Sequence, residues 1–546
     1  REANSRWQEA ALATYDIAAA VLDSMRTEYQ EGSRQFWNQE ARLILEHAVD
    51  IALQLHQKTG RLHFLEKAFQ YAEKTKAFLL AEALRESAAK QQAGIPDSLL
   101  SREKQLKIDI AFYKKQIFDE RLKPGADTAR ILLWQAEILR CRRAKDALLA
   151  KLEKQYPEYY QVKYRYPQVD VAAIRQSLPG DAGLLEYFRG DRALYVFYFS
   201  KEDAHALRIV PDSVYHKALD RLLNGLRDRD LVAEQGRSAG AIARFSADAS
   251  AVYQTIVAPL IRTVPAQLLI IPDGRLANLP FELLLTNGGK PAVSPSYEDL
   301  PYLLRQSAIR YEYSAALALQ PATHARPTRL FDGYAPAYNT LQTVSPKRSA
   351  PAKCREAEFA DFVPLYTNQT EVNQIARLFG GQAYLGSAAT ERQFRQQAAE
   401  PRLIHLALHG FLNDCDPLYS GLVFAPSAGA GSANAGSDAD GFLHAYEIYN
   451  LRMNAELAVL SACNTGRGEI VRGEGVISLA LAFKYAGCAN VLMSLWQADD
   501  VATAQLMQAF YLGLQRGLGK DAAIREAKLH AQPPLLLGRL RADRRW

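Results

Sequence analysis

No Cys-x-x-Cys pair occurs in this chain, and its five cysteines, Cys141, Cys354, Cys415, Cys463 and Cys488, are scattered and odd in number. That excludes a disulfide framework and argues against a zinc site, whose signature is ligands paired at short spacing. Reduced thiols, and with them a cytoplasmic location, are the expectation for a chain of this size. No apolar run approaches the ~20 residues of a membrane span, so no membrane is expected as a partner. A surplus of one charge is missing too, since +6 over 546 residues carries no argument for nucleic acid. Neither Gly466-Arg467-Gly468 nor the later Gly473 is followed by the GK[ST] of a P-loop, which makes nucleotide hydrolysis a poor third reading. Nothing calls for a cofactor or a metal. The start, Arg1-Glu2-Ala3-Asn4, lacks an initiator methionine and a secretory apolar region, so a piece of a longer chain is expected.

What is present is enough chain for two or more domains. Residues 1–160 read as helical. Trp37, Ala41, Leu45, Ala48 and Ala52 recur at three and four, as do Leu65, Ala68, Phe69 and Ala72. Gly60 breaks one pair of helices and Gly94-Ile95-Pro96-Asp97 another. Alternating small and large apolar residues from Lys67 to Ala81 let antiparallel helices approach closely, as in tetratricopeptide units. The region is TPR-like, and a helical support is favoured over a peptide-binding groove. The basic run Arg140, Arg142, Arg143 and Lys145 reads as a solvated face, and no direct nucleic-acid binding is expected.

Past Tyr166-Pro167 the pattern changes. Leu184–Phe188 and Ala193–Phe199 flank Arg189-Gly190-Asp191-Arg192 and predict a β-hairpin with a tight turn. Gln267–Ile271 is a strand closed by Pro272-Asp273-Gly274-Arg275, and strands then alternate with helices, the mark of a largely parallel α/β sheet. The proline- and serine-rich stretch from Ala318 to Lys353 reads as a linker. Thr370 to Gly380 is a helix with a threonine start and a glycine stop. Gly429 to Gly441 is a loop poor in large apolar residues.

Two short apolar runs carry the chemistry. Leu403 to Leu408 leads to His409-Gly410, and Leu457 to Leu460 leads to Ser461-Ala462-Cys463-Asn464-Thr465-Gly466. Reactive side chains gather at the carboxyl edge of a parallel sheet, and an imidazole beside a thiol suffices for acyl transfer. The histidine comes first and the two stand 54 positions apart, near the gap of about 50 seen in caspase-like enzymes. Cys463 is the candidate nucleophile, His409 its base, and the N–H groups of Gly410 and Cys463 the candidate oxyanion hole. A buried structural thiol remains the alternative for Cys463. His405, on the same strand, reads as a core histidine and Cys488 as core, while Asp414 or Asn413 could orient the imidazole, with simple turn formation the favoured reading.

Four blocks together resemble the CHAT family of caspase-like peptidases: Leu269–Glu282, Ile404–Gly410, Leu460–Gly466 with Gly473–Val476, and Ala486–Asp500. The resemblance implies a helical amino-terminal region (1–160), a non-catalytic subdomain (161–325) and a caspase-like catalytic subdomain (326–546) with a mostly parallel central sheet. It implies a cysteine endopeptidase of the clan of caspases and separases, acting by Cys463 and His409. Aligned with separases, Asp500 falls where an acidic residue receives an arginine, so Asp500 and its neighbour Asp499 are candidates for a pocket taking a basic P1 side chain. A helix N-cap is the competing reading of either aspartate. Expected partners are a protein substrate and a protein or ribonucleoprotein activator received by the helices. The alternative is a non-catalytic TPR-CHAT scaffold. The family also suggests prokaryotic defence. Family members end in an aromatic-rich strand, whereas Leu535 to Trp546 here is leucine- and arginine-rich, which leaves the last strand open.

Overall fold

Among the described residues eight helices precede the first strand: α1 (Glu2–Glu28), α2 (Glu31–Thr59), α3 (Leu62–Glu73), α4 (Phe78–Gln92), α5 (Asp97–Arg121), α6 (Thr128–Gln155), α7 (Pro157–Lys163) and α8 (Val171–Ser177). Gly60 and Gly94 adopt the left-handed backbone (φ +69° and +60°) that ends α2 and α4. Ala41, Leu45, Ala48 and Ala52 of α2 are buried against Leu65, Ala68, Phe69 and Ala72 of α3. Small residues at the contact bring the helix axes close.

The computed structural model describes the chain except residues 1, 29–30, 122, 124, 164–168, 226–238, 287–296, 320–326, 339–361, 414–415, 427–439, 463–468, 472–474, 496–499, 531–539 and 544–546, with the backbone alone at 2–4, 25–28, 31–40, 78–79, 91, 469–471, 475–477 and 540–543. Among the described residues no helix is long and apolar enough to cross a membrane.

After α8 (Val171–Ser177) come β1 (Ala182–Arg189), β2 (Leu194–Ser200), β3 (Ala204–Ile209), α9 (Ser213–Gly225), α10 (Ala239–Ile256), β4 (Gln267–Ile271) and β5 (Ala308–Tyr311). Next are β6 (Arg329–Ala335), α11 (Asn368–Phe379), β7 (Gln382–Leu385), α12 (Glu391–Gln397), β8 (Pro401–Leu406), β9 (His409–Phe411), β10 (Gly421–Val423), β11 (Phe442–His444) and β12 (Leu457–Leu460). The chain closes with β13 (Glu469–Val471), β14 (Gly475–Ile477), α13 (Leu479–Tyr485), β15 (Val491–Ser494), α14 (Asp500–Gln515), α15 (Lys520–His530) and β16 (Leu540–Asp543).

Eleven strands form one sheet in the order β3-β2-β1-β4-β5-β16-β15-β12-β8-β6-β7. Pairing is parallel from β1 through β4 to β5 and from β15 through β12, β8 and β6 to β7; β2, β3 and the β15–β16 pair are antiparallel. Both faces are covered. On the amino-terminal half α9 and α10 pack on one face, and α2 and α3 on the other, where Phe69 meets Phe197 and Phe199 at 5.4 and 4.8 Å between ring centres. A strand buried on both faces reads as an unbroken apolar run, as Leu457–Leu460 does.

Three sequence expectations change. The stretch expected as a linker contains β6, which lies between β8 and β7. The carboxyl terminus supplies β16, antiparallel to β15 and joined to β5 at Asp543–Tyr311, so it stitches the two halves into one sheet. His409 does not end a strand of the large sheet: β8 stops at Leu406, and His409 opens β9 in a separate sheet ordered β11-β10-β9.

The expected hairpin is β1–β2, closed by a Gly190 N–H to Ala193 carbonyl bond of 2.9 Å. Its Arg-Gly-Asp turn is held by α2. Arg42 donates to the Arg189 carbonyl at 3.0 Å and pairs with Asp273, while the Glu46 carboxylate accepts the N–H groups of Asp191 (2.8 Å) and Arg192 (3.3 Å). A Cβ at Gly190 would stand 2.0 Å from Glu46 Oε1, so a larger residue there would push the Glu46 carboxylate off the turn it holds.

Candidate active site

The strands β8 and β12 are parallel neighbours in the sheet. Leu406 and Leu460 are partners in the last rung, and His409 and Cys463 each stand three positions further along the chain. Cys463 lies outside the described residues, as do Asp499, Asp414, Cys354 and Cys415. The last described residue before Cys463 is Ala462, whose carbonyl accepts the Ser494 hydroxyl at 2.5 Å, tying β12 to the end of β15. The hairpin β13–β14 that follows lies against residues 274–278, the loop after β4.

His409 is half-buried. Its Nε2 lies 2.7 Å from the Val363 carbonyl, a contact that requires the proton on Nε2 and leaves the Nδ1 lone pair as the basic atom. Its ring is flanked by Tyr338 (4.6 Å between centres) and Phe362 (5.2 Å). Its N–H donates to the Tyr338 hydroxyl at 3.0 Å, which itself donates to the Val423 carbonyl at 2.7 Å. His409 and Val423 are partners across β9 and β10, so the phenol bridges that rung.

Burial pushes the His409 imidazole below its ordinary value; the Val363 carbonyl and the Asp500 carboxylate pull the other way. Asp500 is the first residue of α14, half-buried, and its carbonyl accepts the Thr367 hydroxyl at 3.2 Å. Gly410 follows in β9, opposite Leu422.

The other singled-out residues serve the fold. His405 is buried, with Nε2 2.9 Å from Glu371 Oε1 and Nδ1 3.1 Å from the Tyr511 hydroxyl. Cys488 is a free, buried thiol whose pKa burial drives upward. Asn413 builds a turn, its side-chain oxygen accepting the Asp416 N–H at 3.1 Å. Among the described residues no group of three or more His, Cys, Asp or Glu could hold a metal.

Sequence reasoning passed over Tyr338, Phe362, Val363, Asn368 and Glu371. Val363 acts through its carbonyl, which leaves no trace in a side-chain pattern. Tyr338 lay in the apparent linker.

The profile of the CHAT domain matches residues 246–536. The human Tetratricopeptide repeat protein 28 is 26% identical over 292 residues, and its mouse counterpart is 25% identical over 292; each alignment covers 48% of this chain and 11% of the relative. The chain therefore spans about a tenth of the length of these relatives. Among solved structures, the Saccharomyces cerevisiae separase–securin complex is similar with a TM-score of 0.40 and 8% identity, over 93% of this chain and 38% of that one. The Arg-specific cysteine proteinase gingipain R is similar with a TM-score of 0.32 and 9% identity, over 61% of this chain and 74% of that one.

Proposed function

Because the chain belongs to the CHAT domain family, we propose that it is a cysteine endopeptidase in which Cys463 is the nucleophile and His409 the base. The observation that carries this reading is the His409 tether: Nε2 fixed on the Val363 carbonyl, Nδ1 left free to take a proton. His409 stands on the segment leaving β8, and the neighbouring strand β12 leads into Cys463.

In the proposed reaction the Cys463 thiol gives its proton to His409 Nδ1 as Sγ bonds to the scissile carbonyl carbon. The carbonyl π pair moves onto oxygen, where the N–H groups of Gly410 and Cys463 stabilise it. Collapse breaks the C–N bond, and the departing amine takes the proton from the imidazolium. Water then attacks the thioester, Nδ1 accepts its proton, and the thiol leaves with a proton while the new acid is released. A basic P1 side chain would meet the carboxylates of Asp500 and Asp499. Thr367 holds the carbonyl of Asp500 and its neighbour Asn368 holds the carbonyl of Ala407, two residues before His409, which supports a site where the P1 residue and the base are neighbours.

The reading includes the division into 1–160, 161–325 and 326–546, a cytoplasmic setting suited to a free thiol, and a protein or ribonucleoprotein activator on the helical region. One observation favours the second reading, a non-catalytic scaffold. The helices share a core with the sheet and are clamped by buried pairs, as a support would be. A peptide panel with Arg, Lys, Leu or Asp at P1, run beside Cys463→Ala, separates the two. The expected result is cleavage after Arg and Lys that Cys463→Ala abolishes. Cleavage that survives Cys463→Ala removes the endopeptidase reading, and a preference for Leu or Asp removes only the role of Asp500 and Asp499.

A further inference from the structure

The backbone ladder that aligns β8 with β12 ends at Leu406 and Leu460. Two residues then separate each strand end from its reactive side chain. Something other than the sheet must hold those segments, and one turn of α11 reaches both.

Asn368, the first residue of α11, donates from its side-chain amide to the Ala407 carbonyl at 3.2 Å and the Pro336 carbonyl at 3.0 Å. Ala407 stands two residues before His409, and Pro336 two before Tyr338. One turn further on, Oε1 of Glu371 accepts the Ser461 hydroxyl at 3.1 Å and faces His405 Nε2 at 2.9 Å. Ser461 stands two residues before Cys463. His405 is on β8 and passes the contact to Tyr511 of α14, and Thr367, just before α11, holds the carbonyl of Asp500. Asn368, Glu371, His405 and Tyr511 are all buried.

We propose that Glu371 and Asn368 are positioning residues: the first turn of α11 fixes the His409 and Cys463 segments relative to each other where the strand pairing has run out. This rests on the Cys463–His409 reading above. A buried carboxylate is costly to desolvate unless its oxygens are hydrogen-bonded, and here the donors come from β8 and from the segment after β12. An apolar residue in the same place would fill the space and link neither. A misplacement of about 1 Å between reacting groups costs on the order of 10²-fold in rate, which sets the effect to look for.

The test uses the full chain and two readouts, steady-state cleavage of an Arg-P1 peptide and the pH dependence of iodoacetamide modification of Cys463, followed on its tryptic peptide by mass spectrometry. Glu371→Leu and Ser461→Ala are expected to lower kcat on the order of 10²-fold with KM within about twofold, and to move half-maximal modification of Cys463 to higher pH. Glu371→Gln, which keeps an oxygen acceptor, is expected to restore part of both. A merely structural role would lower the unfolding temperature and leave kcat per folded molecule unchanged. Should Glu371→Leu fail to fold, Ser461→Ala removes a single hydroxyl and carries the same expectation. If wild type shows modification that depends on His409 and both variants match it, the positioning role is overturned alone. If modification in wild type ignores His409→Ala, the Cys–His pairing fails and the positioning role falls with it.

Discussion

At His409 burial and charge oppose each other, and burial prevails, holding the imidazole below its ordinary value of 6.5. A base with a lowered pKa stays unprotonated further into acid. The acid limb of kcat/KM is therefore expected below the usual histidine range. Asp500 pulls the value upward, so Asp500→Asn is expected to move that limb to still lower pH and to erase the preference for Arg at P1; a pH–rate profile with Arg and Leu peptides checks both. His409→Ala is expected to cost about 10²–10⁴-fold in kcat, the usual worth of a positioned base. Tyr338 makes a separate prediction. Its hydroxyl links the His409 N–H to the Val423 carbonyl, and Tyr338→Phe leaves both without that partner. A loss of about 1–3 kcal/mol in urea unfolding is expected, with a smaller loss meaning that water takes the place of the phenol.

Among the elements, β8 and β12 were legible because an uninterrupted apolar run is what a strand covered on both faces must be. The element missed, β6, breaks that run with Asp332 and Gly333. Asp332 is buried but held by Arg329 through two bonds of 3.1 and 2.7 Å, and a Cβ at Gly333 would stand 2.6 Å from Val372 of α11. A residue pair that reads as a turn is therefore an ion pair within the strand and a close helix approach, the second set by a partner distant in sequence. The same holds at the site: His409 and Asp500 announced themselves at segment ends, whereas the Val363 carbonyl and the Tyr338 hydroxyl are placed only by folding. Element contacts also carry buried charge. Lys484 of α13 pairs with Glu312, just after β5, at 2.9 Å, both sealed from solvent. Glu312→Gln strands the ammonium, and a loss of about 3–5 kcal/mol is expected. Glu312→Leu combined with Lys484→Met should recover most of it, read by chemical denaturation of the single and double variants.

Over the whole molecule, buried polar contacts join the helices to the sheet and one half of the sheet to the other. Lys528 of α15 pairs with Glu282 at 2.9 Å across the two halves of the sheet. The helices are clamped by Lys76–Glu186 at 2.8 Å and by Glu73, which accepts the N–H groups of Ala315 and Ala316. Burial pushes the Asp273 carboxyl up, but Arg42 and Lys76, with the Arg189 N–H, hold it below the ordinary 3.8. Its folded value is thus under its unfolded value, and the stability it contributes is present above about pH 4 and lost as the pH falls through the lower one. Arg42→Ala, which leaves that carboxylate buried without its guanidinium, is expected to cost about 3–5 kcal/mol and to release α2 and α3 from the sheet before the sheet unfolds, seen as early loss of hydrogen-exchange protection in residues 41–73.

The account stands on a sulfur and an imidazole sharing one site beside an acidic pocket, and labelling with an arginyl chloromethyl ketone addresses that most directly. Mass spectrometry of the treated full chain is expected to find one adduct, on Cys463, that disappears in His409→Ala and weakens in Asp500→Asn. An adduct spread over several cysteines, or one on Cys463 that forms equally well without His409, would contradict it.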